Sequence, residues 1–205
     1  SLKKALVGCE SLYHTAAFYS LWSREKKMIY DINVQGTRNI LESALEVGVG
    51  KVVYTSTVGC IGLSEDSSPS NENQPMNPRT LCNDYKLSKY QAEQVAHELY
   101  GRGLPVVIVN PSTPVGPRDI KPTPTGKIIV DFLDRKMPAY IDTGLNLIDV
   151  DDCARGHILA EKKGQPGERY ILGNKNMSLK EILLTLESLT GLKAPSIKMP
   201  YWVAY

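Results

Sequence analysis

The stretch V-V-Y-T-S-T, residues 52–57, changes character halfway, because three bulky residues are followed by three that carry hydroxyl groups. A short continuous apolar run without alternation predicts a strand that is covered on both faces, as in a parallel sheet. A second run, L-P-V-V-I-V-N at residues 104–110, has the same pattern and also ends in a polar residue. Both runs predict buried strands whose polar ends lie at one edge of a sheet.

The segments around residues 52–57 predict helices and one more strand. S-L-Y-H-T-A-A (11–17) predicts a short strand, and apolar residues at helical spacing predict a helix over 27–47 that stops at Gly48. N-D-Y-K-L-S-K-Y-Q-A-E-Q-V-A-H-E-L (83–99) predicts another helix. Parallel neighbours need crossover helices, so this alternation predicts an α/β fold with a doubly wound parallel sheet.

Beyond residue 120 the regular alternation of strands and long helices ends, which predicts a second and smaller lobe. K-I-I-V-D-F-L-D-R-K (127–136) predicts a helix, P-A-Y-I-D and L-N-L-I-D-V predict strands, and a helix follows over about 151–163. Ser178 and Glu181 form the pattern of a capping box, which predicts a last helix ending at Gly191.

Composition excludes several classes of function. The chain has 205 residues, 42% of them hydrophobic, and 24 basic against 22 acidic residues without any block of like charge. Nothing in this pattern indicates nucleic-acid binding or an anionic membrane surface. The four cysteines are widely spaced and have no neighbouring histidines, so no metal site is predicted. No apolar run reaches the length of a membrane span, and we expect a cytoplasmic protein with reduced thiols.

Chemically useful residues follow each predicted strand. Ligands of such sheets bind outside the carboxyl ends of the strands, where this sequence places Ala16, Ala17 and the hydroxyl run that ends in Thr57. Tyr85 and Lys89 lie one turn apart near the start of a predicted helix, so their side chains share one helical face. A lysine ammonium close to a phenol favours the phenolate, which makes tyrosine a usable acid and base.

The Tyr-x-x-x-Lys spacing alone is weak, because it arises by chance in a chain with 11 tyrosines. The order of several motifs is more specific. They are H-T-A-A (14–17), N-V-Q-G-T (33–37), V-V-Y-T-S-T (52–57), Y-K-L-S-K (85–89) and V-N-P-S-T-P-V-G-P (109–117). Together they resemble the extended short-chain dehydrogenase/reductase family, also called the NAD-dependent epimerase/dehydratase family. Within it, the long strings from Asn110 onward are most similar to hopanoid-associated sugar epimerases and dihydroflavonol 4-reductase-like proteins.

The resemblance implies a role for each matching residue. It implies that Tyr85 is the general acid/base, that Lys89 lowers the pKa of Tyr85 and binds the nicotinamide ribose, and that Thr57 is the catalytic hydroxyl. The implied cofactor-binding residues are Ala16, Ala17, Thr55, Tyr85, Lys89, Pro111 and Thr113. The implied substrate-binding residues are Ser56, Thr57 and Tyr85. For Asn33 a structural bond to backbone is as well supported as a functional role. His14 is expected to pack or to bond locally, and His97 and His157 are expected to have surface or packing roles.

One family feature is missing from the sequence. The family begins with a strand and a Gly-x-x-Gly-x-x-Gly turn that holds the pyrophosphate, whereas G-V-G (48–50) and G-R-G (101–103) follow helices. We therefore expect a fragment, with residues 1–120 as a partial, incomplete Rossmann-type dinucleotide-binding domain. Residues 121–205 are expected to form mainly a substrate-binding lobe, with about 140–163 returning to the Rossmann sheet. The fragment alone should bind dinucleotides weakly and is expected to be inactive.

The resemblance implies an NAD- or NADP-dependent oxidoreductase or epimerase that acts on a carbinol or carbonyl of a small-molecule substrate. A sugar epimerase is the first interpretation and an NADPH-dependent ketone reductase of the dihydroflavonol-reductase type the alternative. A protein that senses NAD(P) without catalysis is an alternative from another class, and a homodimer is possible. Leu21, Trp22 and the segment 64–81 are expected to border the substrate crevice, because they follow the first and second strands.

Overall fold

A computed structural model of the chain describes residues 1–19, 26–64, 66, 68–81, 83–200 and 202. The helices are α1 (Leu2–Leu6), α2 (Lys26–Tyr30), α3 (Gly36–Val47), α4 (Asp84–Gly101), α5 (Pro124–Leu133), α6 (Val150–Lys163) and α7 (Leu179–Thr190). The strands are β1 (Ser11–His14), β2 (Lys51–Thr55), β3 (Val106–Pro111), β4 (Thr113–Val115), β5 (Tyr140–Ile141), β6 (Gly144–Asp149), β7 (Arg169–Leu172), β8 (Lys175–Ser178) and β9 (Lys198–Met199). A π-helical turn, Asp31–Gln35, joins α2 to α3.

The chain divides into two compact units. The first unit contains Ser1–Pro111 and Ala154–Leu172, and the second contains Ser112–Cys153 and Gly173–Tyr205. In the first unit, four strands form a parallel sheet in the order β1-β2-β3-β7. The predicted fold class, a doubly wound parallel α/β sheet, is confirmed.

Alternate residues of each central strand pack on opposite faces of this sheet. Val52 and Tyr54 belong to one apolar cluster, which includes Leu41 of α3 and Leu99 of α4. Val53 belongs to a second cluster, which includes Val107, Val109 and Ala160 of α6. Both faces are therefore covered, which explains why the strands are continuously apolar in sequence. Each fully buried aliphatic side chain of this kind contributes about 1.5–3 kcal/mol.

The boundaries of two helices have clear local causes. Gly48 follows α3 with φ 78°, a left-handed conformation that glycine adopts without steric cost. The side chain of Asn83 caps α4 by accepting a hydrogen bond from the backbone N–H of Lys86 at 2.8 Å. This cap fixes the first turns of α4, which carry Tyr85 and Lys89.

The second unit has its own sheet and its own core. Strand β6 lies between β4, which is parallel to it, and β8, which is antiparallel. Phe132, Tyr140, Leu179 and Leu183 form the centre of its apolar cluster. The predicted capping box is present at Ser178, and α7 ends at a left-handed Gly191 as predicted.

Of the segment at about 140–163 that the sequence predicts to return to the first sheet, only residues from Ala154 onward lie in the first unit, where Ala160 packs on the sheet. Strand β6 pairs in the second unit, and the strand that joins the four-stranded sheet is β7, Arg169–Leu172. Both segments are short and apolar, so their composition gives no signal that distinguishes one sheet from the other. The dinucleotide-binding and substrate-binding roles of the two parts stay predictions. Within the described ranges, every helix is too short or too polar to cross a membrane.

A buried ion pair holds several segments of the first unit together. Glu93 of α4 is 1% exposed, and its Oε1 accepts a hydrogen bond from Arg169 Nη1 at 3.1 Å. Arg169 also donates to the carbonyl oxygens of Glu72 at 2.7 Å and Gln74 at 3.0 Å. The Glu72 carboxylate accepts from the backbone N–H of Ile171. The loop after β2 is thus fastened along β7, the edge strand of the sheet.

We predict that Arg169→Met strongly destabilises the fold. The substitution keeps most of the aliphatic stem but leaves Glu93 as a buried carboxylate without its cation, which costs about 3–5 kcal/mol. Urea unfolding of the full-length protein measures the loss. Lys198→Met is the matched control, because its partner Asp142 is exposed and no measurable change is expected. Equal midpoints for Arg169→Met and the parent protein would contradict the assignment.

Candidate active site

Lys89 is the most constrained polar side chain at the carboxyl ends of the strands. It is 3% exposed, and its Nζ donates to the Tyr54 hydroxyl at 3.2 Å and to the Thr55 carbonyl oxygen at 2.8 Å. Burial lowers the pKa of Lys89 to about 8, and Cys60 and Glu93 partly oppose that decrease. An ammonium group has three N–H donors, so these two bonds leave one for a ligand.

Tyr85 is half-buried one helical turn before Lys89. Its ring meets the ring of Tyr19 edge-on, with centroids 4.6 Å apart. Burial raises the pKa of Tyr85, and the neighbouring Tyr19 and Cys60 raise it further. This direction is opposite to the predicted lowering by Lys89. Among the described residues, the two hydrogen bonds found for Lys89 go to Tyr54 and Thr55 and not to Tyr85.

The three hydroxyl-bearing residues at the end of β2 have three different environments. Thr55 Oγ1 lies 2.9 Å from His157 Nε2, so this histidine contacts a predicted cofactor-binding residue. Ser56 is buried. Thr57 Oγ1 accepts a hydrogen bond from the backbone N–H of Gly59 at 3.2 Å, as the cap of a short 3₁₀ turn. Because accepting that bond leaves its O–H free to donate, Thr57 keeps the capacity to bind a substrate oxygen.

Three buried side-chain oxygens at or just after the strand ends make no hydrogen bond of ordinary geometry among the described residues: Ser56 Oγ, Asn110 Oδ1 and Ser112 Oγ. Ser56 Oγ lies within reach of the Cys60 thiol and partly offsets the raised pKa of that thiol, so Ser56 has a neighbouring polar partner. The amide nitrogen of Asn110 is satisfied, since it donates to the Thr57 carbonyl oxygen at 2.9 Å and to Glu93 Oε2 at 3.0 Å. Buried polar atoms are rarely left without partners, so Asn110 Oδ1 fits a site that binds a polar ligand.

The remaining predicted cofactor-binding residues differ in position. Ala16 and Ala17 follow β1 and are exposed, so no side chain beyond a methyl group covers the backbone there. Pro111 is buried at the end of β3 in the first unit. Thr113 lies in β4 of the second unit and is half-buried. The first unit thus brings the predicted residues at the ends of β1, β2 and β3 to one edge of the sheet.

Asn33 clamps the chain that follows β1. Its Oδ1 accepts from the Phe18 N–H at 2.7 Å, and its Nδ2 donates to the Phe18 carbonyl oxygen at 3.1 Å and to Ser88 Oγ at 2.9 Å. Ser88 in turn donates to the Tyr85 carbonyl oxygen. The structural role considered for Asn33 is therefore present, and it connects the loop after β1 to the helix that carries Tyr85.

Several residues of this site carried no clear signal in the sequence. Tyr54 is one of many apolar strand residues, and Arg169 lies in a strand that the sequence did not predict. Glu93 had a usable signal, because it follows Lys89 by four residues and shares its helical face. Predicted crevice residues Leu21 and Trp22 lie outside the described residues. Residues 72–74 of the other predicted crevice segment run along β7, and a contact with substrate stays a prediction.

The comparisons with known proteins agree with this fold. An open parallel α/β sheet with polar residues beyond the carboxyl ends of its strands is typical of nucleotide-binding folds. The model of the NAD-dependent epimerase/dehydratase family matches residues 1–173. The chain belongs to that family, as the sequence motifs indicated. The family is NAD-dependent, which confirms the prediction of a nicotinamide cofactor at the level of the family.

Individual relatives include reductase-type and dehydratase-type proteins. A putative dihydroflavonol 4-reductase of Synechocystis is 50% identical over 98% of this chain and 60% of its own length. The crystal structure of gox2253 is 47% identical, with a TM-score of 0.92 over 97% of this chain and 60% of the other. DesIV, a dTDP-glucose 4,6-dehydratase from Streptomyces venezuelae solved with NAD and TYD, is 28% identical, with a TM-score of 0.80 over 94% of this chain and 61% of its own. The chain therefore spans about three-fifths of the length of these relatives.

We predict that His14 makes the fold sensitive to acid. His14 lies 3.0 Å from Thr37 Oγ1, and burial, with a smaller effect of Lys89, lowers its pKa from 6.5 to about 4. A lowered pKa in the folded state means that stability is complete above pH 6.5 and is lost as the pH falls toward 4, by at most about 3 kcal/mol.

The measurement is urea unfolding at several pH values. His14→Gln keeps an amide for Thr37 but does not titrate, so it should lose less stability over this interval than the parent protein. His97→Gln, at a half-buried histidine of α4, is the control and should follow the parent profile. Parallel stability profiles for His14→Gln and the parent would disprove the prediction.

Proposed function

We propose that the full-length protein is an NAD(P)-dependent oxidoreductase or epimerase that acts on a carbinol or carbonyl of a small molecule. The observation that carries the proposal is the buried Lys89 ammonium, which has one N–H left for a ligand and lies one helical turn from Tyr85. The hydroxyl run ending in Thr57 and the family membership support it.

The residues at the strand ends fit a nicotinamide cofactor. The side chains of Ala16 and Ala17 are exposed methyl groups, and Asn110 offers an amide oxygen that has no hydrogen-bond partner in the described part of the chain. With the family roles, Thr55, Tyr85, Lys89, Pro111 and Thr113 complete the set that would hold it. When bound, this cofactor supplies the chemistry of hydride acceptance and donation.

The chain itself supplies the proton chemistry. In the direction of carbonyl reduction, the Tyr85 O–H donates its proton to the substrate oxygen, and in the direction of carbinol oxidation the phenolate accepts it. The raised pKa of Tyr85 keeps it a phenol at neutral pH, which suits the acid role. The basic role requires the positive charge of Lys89 to stabilise the phenolate. Thr57 donates a hydrogen bond to the same substrate oxygen.

Two reactions of this class fit the proposal, the epimerisation of a sugar and the reduction of a ketone. A sugar epimerase uses the same chemistry in both directions, so its cofactor is regenerated on the enzyme. A ketone reductase releases the oxidised cofactor after each turnover. The 50% identity with a putative dihydroflavonol 4-reductase favours the reductase, and the strings beginning at Asn110 favour a sugar epimerase.

The cofactor released from the purified full-length protein distinguishes these reactions. Tightly held NAD, identified by mass spectrometry, supports the epimerase, and exchangeable NADPH supports the reductase. Cofactor binding without turnover of any carbonyl or carbinol substrate would instead support the non-catalytic sensor. The substrate, a homodimeric state and a cytoplasmic location stay predictions.

We predict that Tyr85→Phe abolishes most of the activity of the full-length enzyme. The substitution removes one hydroxyl, so folding should be nearly unchanged while turnover falls by about 10² to 10⁴, the usual contribution of a general acid/base. Tyr100→Phe, at the exposed end of the same helix, is the matched control and should retain parental turnover. Turnover of Tyr85→Phe within about threefold of the parent would exclude Tyr85 as the proton donor.

Lys89→Met and Thr57→Val should have different kinetic signatures. Removing the ammonium makes the Tyr85 phenolate less stable, so the acidic limb of the pH–rate profile should move to higher pH, and cofactor binding should weaken. Thr57→Val should lower turnover by about 10-fold or more without that shift in pH. Steady-state kinetics across pH, with calorimetry of cofactor binding, measure both effects. An unchanged acidic limb of the pH–rate profile in Lys89→Met would contradict the assigned role of the ammonium.

A further inference from the structure

The hydroxyl of Tyr54 lies at the centre of a buried polar cluster that the proposed chemistry does not use. Tyr54 is fully buried in β2, and its hydroxyl accepts a hydrogen bond from Lys89 Nζ at 3.2 Å. The Thr37 hydroxyl of α3 is a neighbour of the Tyr54 hydroxyl and partly opposes the rise in the pKa of Tyr54. Thr37 Oγ1 lies 3.0 Å from His14 Nε2. Four polar side chains from β1, α3, β2 and α4 thus lie near one another inside an otherwise apolar layer.

We propose that Tyr54 is a positioning residue for Lys89. Its hydroxyl and the Thr55 carbonyl oxygen occupy two of the three N–H donors of the ammonium, which leaves the third available at the carboxyl end of the sheet. The inference rests on the proposed function for its catalytic consequence, but the contact itself belongs to the fold.

The surroundings of Tyr54 explain why its hydroxyl can do this. Burial raises the pKa of Tyr54 well above 10, so it remains a neutral acceptor. Thr37 is a polar neighbour of this hydroxyl, and the His14 ring lies 5.7 Å from the Tyr54 ring between centroids. Lys89 Nζ also lies 4.8 Å from the centroid of the Tyr54 ring, within range of a cation–π interaction. Because Tyr54→Phe keeps the ring and removes only the hydroxyl, the two contributions can be measured separately.

The charge state of Lys89 depends on all the groups that face it. They are His14 from β1, Tyr54 from β2, Cys60 from the turn after β2 and Glu93 from α4 itself. Cys60 and Glu93 favour the ammonium, whereas burial disfavours it. In Tyr54→Phe the ring and these other groups stay, and only one hydrogen-bond acceptor of the ammonium is lost. The titration midpoint of Lys89 should therefore fall.

The test is a titration of lysine Cε resonances by NMR in the full-length protein, with Lys89 assigned from the signal that Lys89→Met removes. The parent midpoint is expected near pH 8. In Tyr54→Phe it should fall by about one pH unit, as expected for loss of a hydrogen bond to a charged group. Tyr170→Phe is the matched control, because the Tyr170 hydroxyl accepts one hydrogen bond, from the Gln165 N–H, elsewhere in the same unit. Its Lys89 midpoint should equal that of the parent.

A second variant covers the case in which Tyr54→Phe does not fold. Thr37→Val keeps the Tyr54 hydroxyl but removes its polar neighbour, so a smaller fall in the same direction is expected. A Lys89 midpoint that is unchanged in folded Tyr54→Phe, or in Thr37→Val where Tyr54→Phe does not fold, would overturn the proposal. An equal fall in Tyr170→Phe would overturn it as well.

The pH dependence of turnover tests whether the contact between Tyr54 and Lys89 matters for the proposed function. Turnover of Tyr54→Phe should decline at lower pH than turnover of the parent, because the ammonium is lost earlier as the pH rises. If Tyr85→Phe retains parental turnover while the Lys89 midpoint still falls in Tyr54→Phe, the proposed function fails and the positioning role of Tyr54 stands. If Tyr85→Phe is inactive and the midpoint does not move, the proposed function stands and the role of Tyr54 is disproved.

Discussion

The ion pair between Glu93 and Arg169 is the interaction on which the first unit most depends. A carboxylate buried to this degree is stable only when its charge and its lone pairs are satisfied, and Arg169 and Asn110 do this together. The same contacts fix other parts of the molecule, because Asn110 holds the Thr57 carbonyl and Arg169 holds the loop at residues 72–74. One charge inside the protein thus connects α4, β3, β7 and the end of β2.

Helix α4 also buries the charge of Lys89, four residues before Glu93, and this charge is stabilised in a different way. The Arg169 guanidinium faces the Glu93 carboxylate, which accepts a hydrogen bond from it. Lys89 instead faces a phenol and a carbonyl oxygen, which are neutral acceptors that satisfy its hydrogen bonds but only partly offset its desolvation. The pKa of Lys89 is therefore lowered toward the physiological range, and the nearby Cys60 and Glu93 only partly oppose that decrease. Lys89 thus has a pKa that suits the proposed chemistry, whereas Glu93 and Arg169 stabilise the fold.

The irregular segments next to the site are held by side chains instead of by sheet or helix hydrogen bonds. Asn33, within the π-helical turn, binds both backbone polar groups of Phe18 in the loop after β1. Arg169 similarly binds two carbonyl groups of the loop after β2. Loops that carry binding residues need such anchors, because their backbone groups would otherwise be unsatisfied when they are covered.

The sequence by itself determined the fold class. Apolar runs such as residues 104–109, alternating with helical segments, predicted strands covered on both faces, and the four-residue spacing of Tyr85 and Lys89 placed both on one side of a helix. Local rules also determined the capping box at Ser178 and the helix end at Gly191, since these depend on neighbours within a few residues. Only the tertiary structure decided that Arg169 faces Glu93, that Tyr54 faces Lys89, and that burial raises the pKa of Tyr85. These contacts join residues that are far apart in the chain or on different strands and helices, and a pKa depends on what surrounds a group in space, which no local pattern of residues records.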